Sequence, residues 1–166
     1  MIQDIGTHYY RNEYVPVPPK EQDFILCYNQ KNILIKKTKD SFLLPHFCDI
    51  PNWEKEPYIY LFSIDEHHFY ILPQLDPSLL SDFTFEDLVI FRREEPKELC
   101  FALITGFHLF SWYESRKFCG KCGKKLLPDT KERMMYCPHC HNTEYPKISP
   151  AVIVAIRNKN KLLLSK

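Results

Sequence analysis

The chain has 166 residues, with 22 Lys and Arg against 21 Asp and Glu for a formal net charge of +1, and 45% of its residues are hydrophobic. That length allows one domain or two small ones, and that apolar content excludes a disordered chain. Near-neutral charge gives no bulk attraction to nucleic acid or membrane surfaces, and no apolar run approaches the ~20 residues that span a bilayer. A soluble, cytoplasmic protein is expected.

The first hundred residues read mainly as strands. Apolar runs at residues 24–28 and 33–37 flank Asn29, Gln30, Lys31 and Asn32, a hairpin connection. Phe42, Leu43 and Leu44 form a further short run that stops at Pro45. Residues 58–64 and 68–72 flank Asp65, Glu66 and His67 and predict a second hairpin. Pro51, Pro57, Pro73 and Pro77 lie at the edges of these runs, where a sheet tolerates proline. Thr84, with Asp87 three positions on, resembles a capping box and predicts a helix through Leu88, Val89 and Phe91. A second helix is expected from near Pro96 towards Lys117, with Leu99, Ala102, Leu103, Phe107 and Phe110 at helical spacing and Ile104 and Trp112 widening the stripe. Gly106 interrupts that stripe and either weakens the helix or marks a close packing contact.

Four cysteines follow, Cys119, Cys122, Cys137 and Cys140, spaced C-x2-C-x14-C-x2-C. Two such pairs can close a tetrahedral cage of thiolates about 2.3 Å from a Zn²⁺, and a cage of four sulfurs leaves no open position, so the zinc is expected to be structural. Gly120 and Gly123 follow the first two cysteines, Pro138 sets the backbone of the second turn, and the residues between can form a short hairpin. Two disulfides are the alternative. Seven cysteines, an odd number, and no signal peptide argue instead for a reducing compartment. A redox C-x-x-C normally stands alone at a strand-to-helix turn. His139 and His141 can each ligate zinc but are not needed and read as solvated; Cys27, Cys48 and Cys100 read as small core residues.

Beyond the cysteines, residues 151–157 read as a strong strand, 158–161 as a turn and 162–164 as a second strand. Their nearly continuous apolar character is that of strands covered on both faces, so a larger fold is expected to continue from them.

Phe118-Cys119-Gly120-Lys121-Cys122-Gly123, Cys137-Pro138-His139-Cys140 and the run from Tyr145-Pro146 to Ile153 together resemble the NADH pyrophosphatase branch of the Nudix hydrolases. The resemblance is specific over residues 99–157 and architectural before them. It implies an α+β chain: an N-terminal domain of antiparallel strands with helices at 1–97, a connecting helix at 98–117, a zinc ribbon at 118–149, and the first strands of a Nudix domain at 150–166. It also implies cleavage of NADH or NAD⁺ to nicotinamide mononucleotide and AMP, removal of NAD caps from RNA in some members, and a homodimer.

In that family the chemistry belongs to the box G-x5-E-x7-R-E-U-x-E-E-x-G-U (U a bulky apolar residue), whose glutamates hold Mg²⁺ or Mn²⁺. The four glycines are Gly6, Gly106, Gly120 and Gly123, and six positions on stand Asn12, Trp112, Leu126 and Asp129, none of them Glu. The chain is therefore expected to stop before its Nudix box and to be inactive alone. The same scarcity of glycine excludes a Walker loop and a dinucleotide fingerprint. Two substrate contacts carry over from the family: Glu132, five residues before Cys137, and Tyr145, just before Pro146, which stacks on the substrate base across the dimer. Otherwise Glu132 is a solvated hairpin charge and Tyr145 packs the ribbon against its neighbour. Two readings remain open beside this one: a stand-alone zinc ribbon binding RNA or protein, and a dimerisation element. Lys117, Lys121, Lys124, Lys125, Lys131 and Arg133 make the ribbon locally basic and favour the first of these.

Overall fold

The computed structural model describes residues 3–92, 94–147 and 154–163. In chain order the strands are β1 Tyr10–Arg11, β2 Phe24–Ile25, β3 Tyr28–Asn29, β4 Asn32–Lys37, β5 Phe42–Leu43, β6 Ile59–Ile64, β7 His67–Ile71 and β8 Thr84–Asp87. Helix α1, Lys97–Ser115, follows, then β9 Leu127–Pro128, β10 Met135–Tyr136, β11 Thr143–Glu144, β12 Arg157–Asn158 and β13 Lys161–Leu162. The architecture is α+β, with strand-rich sheets at the front and one long helix.

Both predicted hairpins form. Tyr28 pairs with Ile33 across a turn in which Gln30 takes φ 55°, and Ile64 pairs with His67 across a turn in which Asp65 takes φ 52°. One sheet has the order β1-β6-β7-β2; in the other, β4 pairs with β3, β5 and β8.

The run at 24–28 is not one strand. Phe24 and Ile25 pair with Phe69 and Tyr70 in parallel, so this sheet is mixed rather than wholly antiparallel. The Leu26 N–H still donates to the Tyr70 carbonyl at 2.8 Å, whereas the Cys27 carbonyl accepts from Leu34 N–H at 2.9 Å. The chain thus crosses from one sheet to the other between these two residues.

The period-two alternation of the strands divides their side chains between two cores. Ile33, Ile35, Phe69 and Ile71 join the cluster beneath α1 with Leu61, Phe62 and Ile64, a break in pairing register between Tyr60 and Phe62 letting the consecutive Leu61 and Phe62 share it. Leu34, Tyr60 and Tyr70 face the other way, into a cluster closed by Phe47, Ile50 and Leu80 from the connecting loops. Burial on both faces explains why these runs lack a polar side.

Two expectations fail here. Thr84 and Asp87 do not cap a helix: residues 84–87 are β8, paired antiparallel with β4 from Asn32↔Asp87 to Ile35↔Thr84, and a 3₁₀ helix occupies Leu88–Arg92. Asn32 and Ile33 of β4 pair with β3 on one edge and with β8 on the other, and this pairing overrode the local capping pattern. Cys48 is exposed rather than core, while Cys100 is buried and Cys27 half-buried.

Helix α1 begins and ends close to expectation, and the predicted stripe lies on the face it packs: Ala102, Leu103 and Trp112 are buried, and Leu99, Ile104, Phe107 and Phe110 lie half-buried against the same cluster. Cys100, Ala102, Leu103, Gly106, Leu109, Trp112 and Tyr113 are the buried positions. Gly106 is the close contact: a Cβ there would lie 2.3 Å from Leu26 Cδ1 and 2.6 Å from Tyr28 Oη. Among the described residues no helix is long and apolar enough to cross a membrane.

At the far end the strand expected at 151–157 lies partly outside the described residues. Val154 to Ile156 are not in a strand; Arg157 pairs with Leu162 and Asn158 with Lys161. Val154, Ile156, Leu162 and Leu163 are exposed there, not covered.

Candidate metal centre and the tyrosine beside it

The ribbon is two copies of one turn. In the first, Cys119 N–H donates to the Lys124 carbonyl at 2.7 Å and Gly123 N–H returns to the Cys119 carbonyl at 2.8 Å. In the second, Cys137 N–H donates to the Asn142 carbonyl at 2.8 Å and His141 N–H returns to the Cys137 carbonyl at 2.9 Å. Each turn closes through a left-handed residue four places after its first cysteine: Gly123 at φ 71° and His141 at φ 59°. His141 therefore serves the backbone, and both it and His139 are exposed, as expected of residues that do not ligate.

Strands β9, β10 and β11 join the turns, with Met135 paired to both Pro128 and Glu144. This arrangement brings the four Sγ atoms within 4.8 Å of one another. Cys119 Sγ lies 3.5 Å from Cys140 Sγ, and Cys122 Sγ 3.4 Å from Cys137 Sγ. A tetrahedron with Zn–S bonds of about 2.3 Å has edges of about 3.8 Å, so the cage needs only a small expansion to hold zinc. Lys121 N–H points at Cys119 Sγ from 3.4 Å and supplies a dipole for a thiolate.

The protonation pattern fits the same ion. Burial raises the Cys137 thiol, but the Cys140 and His139 amides outweigh it and bring it down to about 6. The Lys124 amide lowers Cys122, yet burial and the three neighbouring sulfurs prevail and push it up to about 12. Four crowded sulfurs cannot all ionise unaided, and a divalent cation is what lets them. The zinc is structural: all four positions are filled by sulfur.

The two predicted substrate residues come together at one edge of the ribbon. Tyr145 Oη donates to Glu132 Oε2 at 2.8 Å, and that bond raises the phenol. Tyr145 remains 53% exposed. Glu132 sits in a turn that Asp129 organises: Asp129 Oδ1 accepts from the N–H groups of Lys131 (2.7 Å) and Glu132 (2.9 Å). These amides hold Asp129 below its ordinary pKa. Pro128 followed by Asp129 is the sequence signal for such a turn.

Arg133 carries a role that its sequence context did not reveal. It is not part of a basic surface. Its guanidinium donates to Asn12 Oδ1 (2.8 Å), the Asn12 carbonyl (3.0 Å) and the Leu61 carbonyl, with the Tyr14 ring 5.5 Å away. It ties the ribbon hairpin to β6 and to the segment after β1. Only a contact 121 residues away in sequence explains it, and no local pattern encodes that.

Comparison with known proteins covers the same segment. Residues 114–145 match the family model described as NADH pyrophosphatase zinc ribbon domain. The NAD-capped RNA hydrolase NudC of Salmonella typhi is 44% identical over 61 residues, 37% of this chain and 24% of that protein. Its namesake from Shigella flexneri is 45% identical over 60 residues, 36% of this chain and 23% of that protein. The chain thus matches about a quarter of the length of these curated relatives. With the four-sulfur cage and its duplicated turns, residues 114–145 form a zinc ribbon similar to that of the NADH pyrophosphatases.

Proposed function

We propose that the chain is the non-catalytic front and zinc-ribbon portion of an NAD(H) diphosphatase. In the complete enzyme it would act on NADH or NAD⁺, and on NAD-capped RNA as the relatives' name states of them. The proposal includes a cytoplasmic homodimer and divisions at 1–97, 98–117, 118–149 and 150–166. The observation that carries it is the Tyr145–Glu132 pair, joined at 2.8 Å beside a ribbon of the matching family.

The chemistry of that pair suits a dinucleotide. The phenol ring offers an apolar face to nicotinamide or adenine, and stacking of this kind contributes about 1–3 kcal/mol. Glu132 fixes the ring through the phenol oxygen and retains a second carboxylate oxygen for a ribose hydroxyl. Zinc holds the hairpin that carries Glu132 and, through β11, the strand preceding Tyr145. Catalysis is assigned to Mg²⁺ or Mn²⁺ on a glutamate box that the 166 residues do not contain.

Titration of the chain with NADH, followed by its fluorescence, tests the platform. Binding should weaken at least about fivefold in Tyr145→Ala, the low end for a lost stack, and survive in Tyr145→Phe. Glu132→Gln should weaken it less. Unchanged binding in Tyr145→Ala would remove the platform. Release of nicotinamide mononucleotide by the pure chain with Mg²⁺ would overturn the non-catalytic assignment.

A further inference from the structure

Between β1 and β2 runs Tyr14-Val15-Pro16-Val17-Pro18-Pro19-Lys20, a stretch that belongs to no strand or helix. Its residue types set its conformation. Proline holds φ at about −65° at positions 16, 18 and 19. The residue before a proline is confined to extended backbone, which covers Val15, Val17 and Pro18. Residues 15–19 are therefore all restrained towards polyproline II, a left-handed helix of three residues per turn without internal hydrogen bonds.

Burial follows that period of three. Tyr14 and Val17 are half-buried and pack against the cluster that holds Leu34, Tyr60 and Tyr70. Tyr70 Oη donates to the Val17 carbonyl at 3.0 Å, and Tyr14 Oη to the Asp129 carbonyl at 3.4 Å. Val15 and Pro18, also three apart, are both exposed, Val15 at 64%. Pro16 is exposed too, and Pro19, three residues on, is half-buried. Val15 walls one cleft with Tyr60 and His68, while Pro16 walls another with Tyr58 and Pro128. The segment thus stands as a ridge with one edge in the core and two edges outward.

The inward edge alone would serve a rigid connection, for which polar residues could face the solvent. Instead Val15-Pro16 and Pro18-Pro19 present two apolar–proline pairs one turn apart. The carbonyls of Val15, Pro16 and Pro18 accept no hydrogen bond from the described residues. Lys20 closes the ridge, exposed and without an ion pair among the described residues. Grooves walled by aromatic rings take such pairs, and a ridge already ordered loses little entropy on docking. We propose that Val15-Pro16-Val17-Pro18-Pro19 is a docking ridge for a protein domain with an aromatic-lined groove of the SH3 type. Acidic groups at the rim of such a groove would meet Lys20. The ridge uses neither the zinc turns nor any nucleotide, so it stands or falls separately from the function proposed above.

NMR titration of a panel of isotope-labelled SH3 domains with the full chain tests this. Shifts should map to the aromatic groove of at least one domain, with a Kd below about 1 mM, and a synthetic polyproline peptide should reverse them. Val15→Asp and Pro18→Asp, both at outward positions, should each weaken binding at least about tenfold, as loss of an anchoring contact does. Val17→Ile, on the inward edge, should leave binding unchanged. Zinc content and an unchanged amide spectrum outside residues 13–21 establish that each variant is folded. No shift in any groove at about 1 mM chain would overturn the proposal. So would shifts confined to surfaces outside the groove, or binding that Val15→Asp and Pro18→Asp both leave intact.

Discussion

Gly106 lies where helix α1 touches the strand crossing, and its lack of a side chain is what permits the contact. Leu26 and Tyr28 fill the space a Cβ would need, and neither can yield freely: Leu26 is fully buried and Tyr28 Oη donates to the Leu103 carbonyl at 2.7 Å. Gly106→Ala should therefore destabilise by about 1–3 kcal/mol despite alanine's better helix propensity, measured by urea unfolding. A more stable variant would show that the contact relaxes. At the N-terminal end of the helix, His8 Nδ1 sits 2.7 Å from Asp65 and Nε2 3.6 Å from Glu98. The Asp65 bond raises His8 above 6.5, and the Tyr9 amide and then His8 lower Asp65 below 3.8. The signs oppose one another. The His8 contribution is complete below 6.5 and is lost as pH rises through its higher folded value; the Asp65 contribution is present above 3.8 and lost as pH falls through its lower one. Attachment of β1 should therefore be firmest between these limits. NMR titration of His8 should give a midpoint above that of its Asp65→Asn variant; equal midpoints would refute the contact.

At the scale of elements, the ribbon hairpin and the front sheets meet through Arg133. A charged donor on two carbonyls and an amide oxygen, half-buried, is worth roughly 2–3 kcal/mol, as its carbonyl partners stay behind when it goes. Arg133→Met should lower stability by that amount and increase amide exchange at residues 9–14, whereas unchanged exchange there would show that the ribbon is held by its apolar contacts alone. How far each element could be read depended on how local its cause is. The zinc turns were legible because spacing and ligand type are both in the sequence, as was the 97–115 helix. The pair of Tyr145 and Glu132 came from family resemblance, and the structure supplied its hydrogen bond. Strand β8 was misread because the Thr84–Asp87 capping pattern is local while the demand of β4 for a partner is not. The sheet crossing at Leu26 and Cys27 was hidden for the same reason: an apolar run looks alike whether it serves one sheet or two.

Across the molecule, the buried cluster beneath α1 does not end at the front sheets. Leu126 and Met135 of the ribbon belong to it with Trp112 and Tyr113, and so do Cys119 and Cys137 themselves. The metal therefore supports more than two turns: it fixes residues that complete the apolar packing of the helix. It also sets the relation between Glu132 and Tyr145, since each lies within a few residues of a ligand cysteine. In modules of this size such a metal contributes roughly 10–16 kcal/mol, as large as the ~5–15 kcal/mol net stability of an ordinary domain. The most direct measurement is metal analysis of the purified chain, joined to an amide-exchange map before and after chelation. The account predicts one zinc per chain, loss of protection across residues 118–145 on chelation, and weakened protection in the C-terminal half of α1. Protein free of zinc, with protection unchanged across residues 118–145, would contradict it.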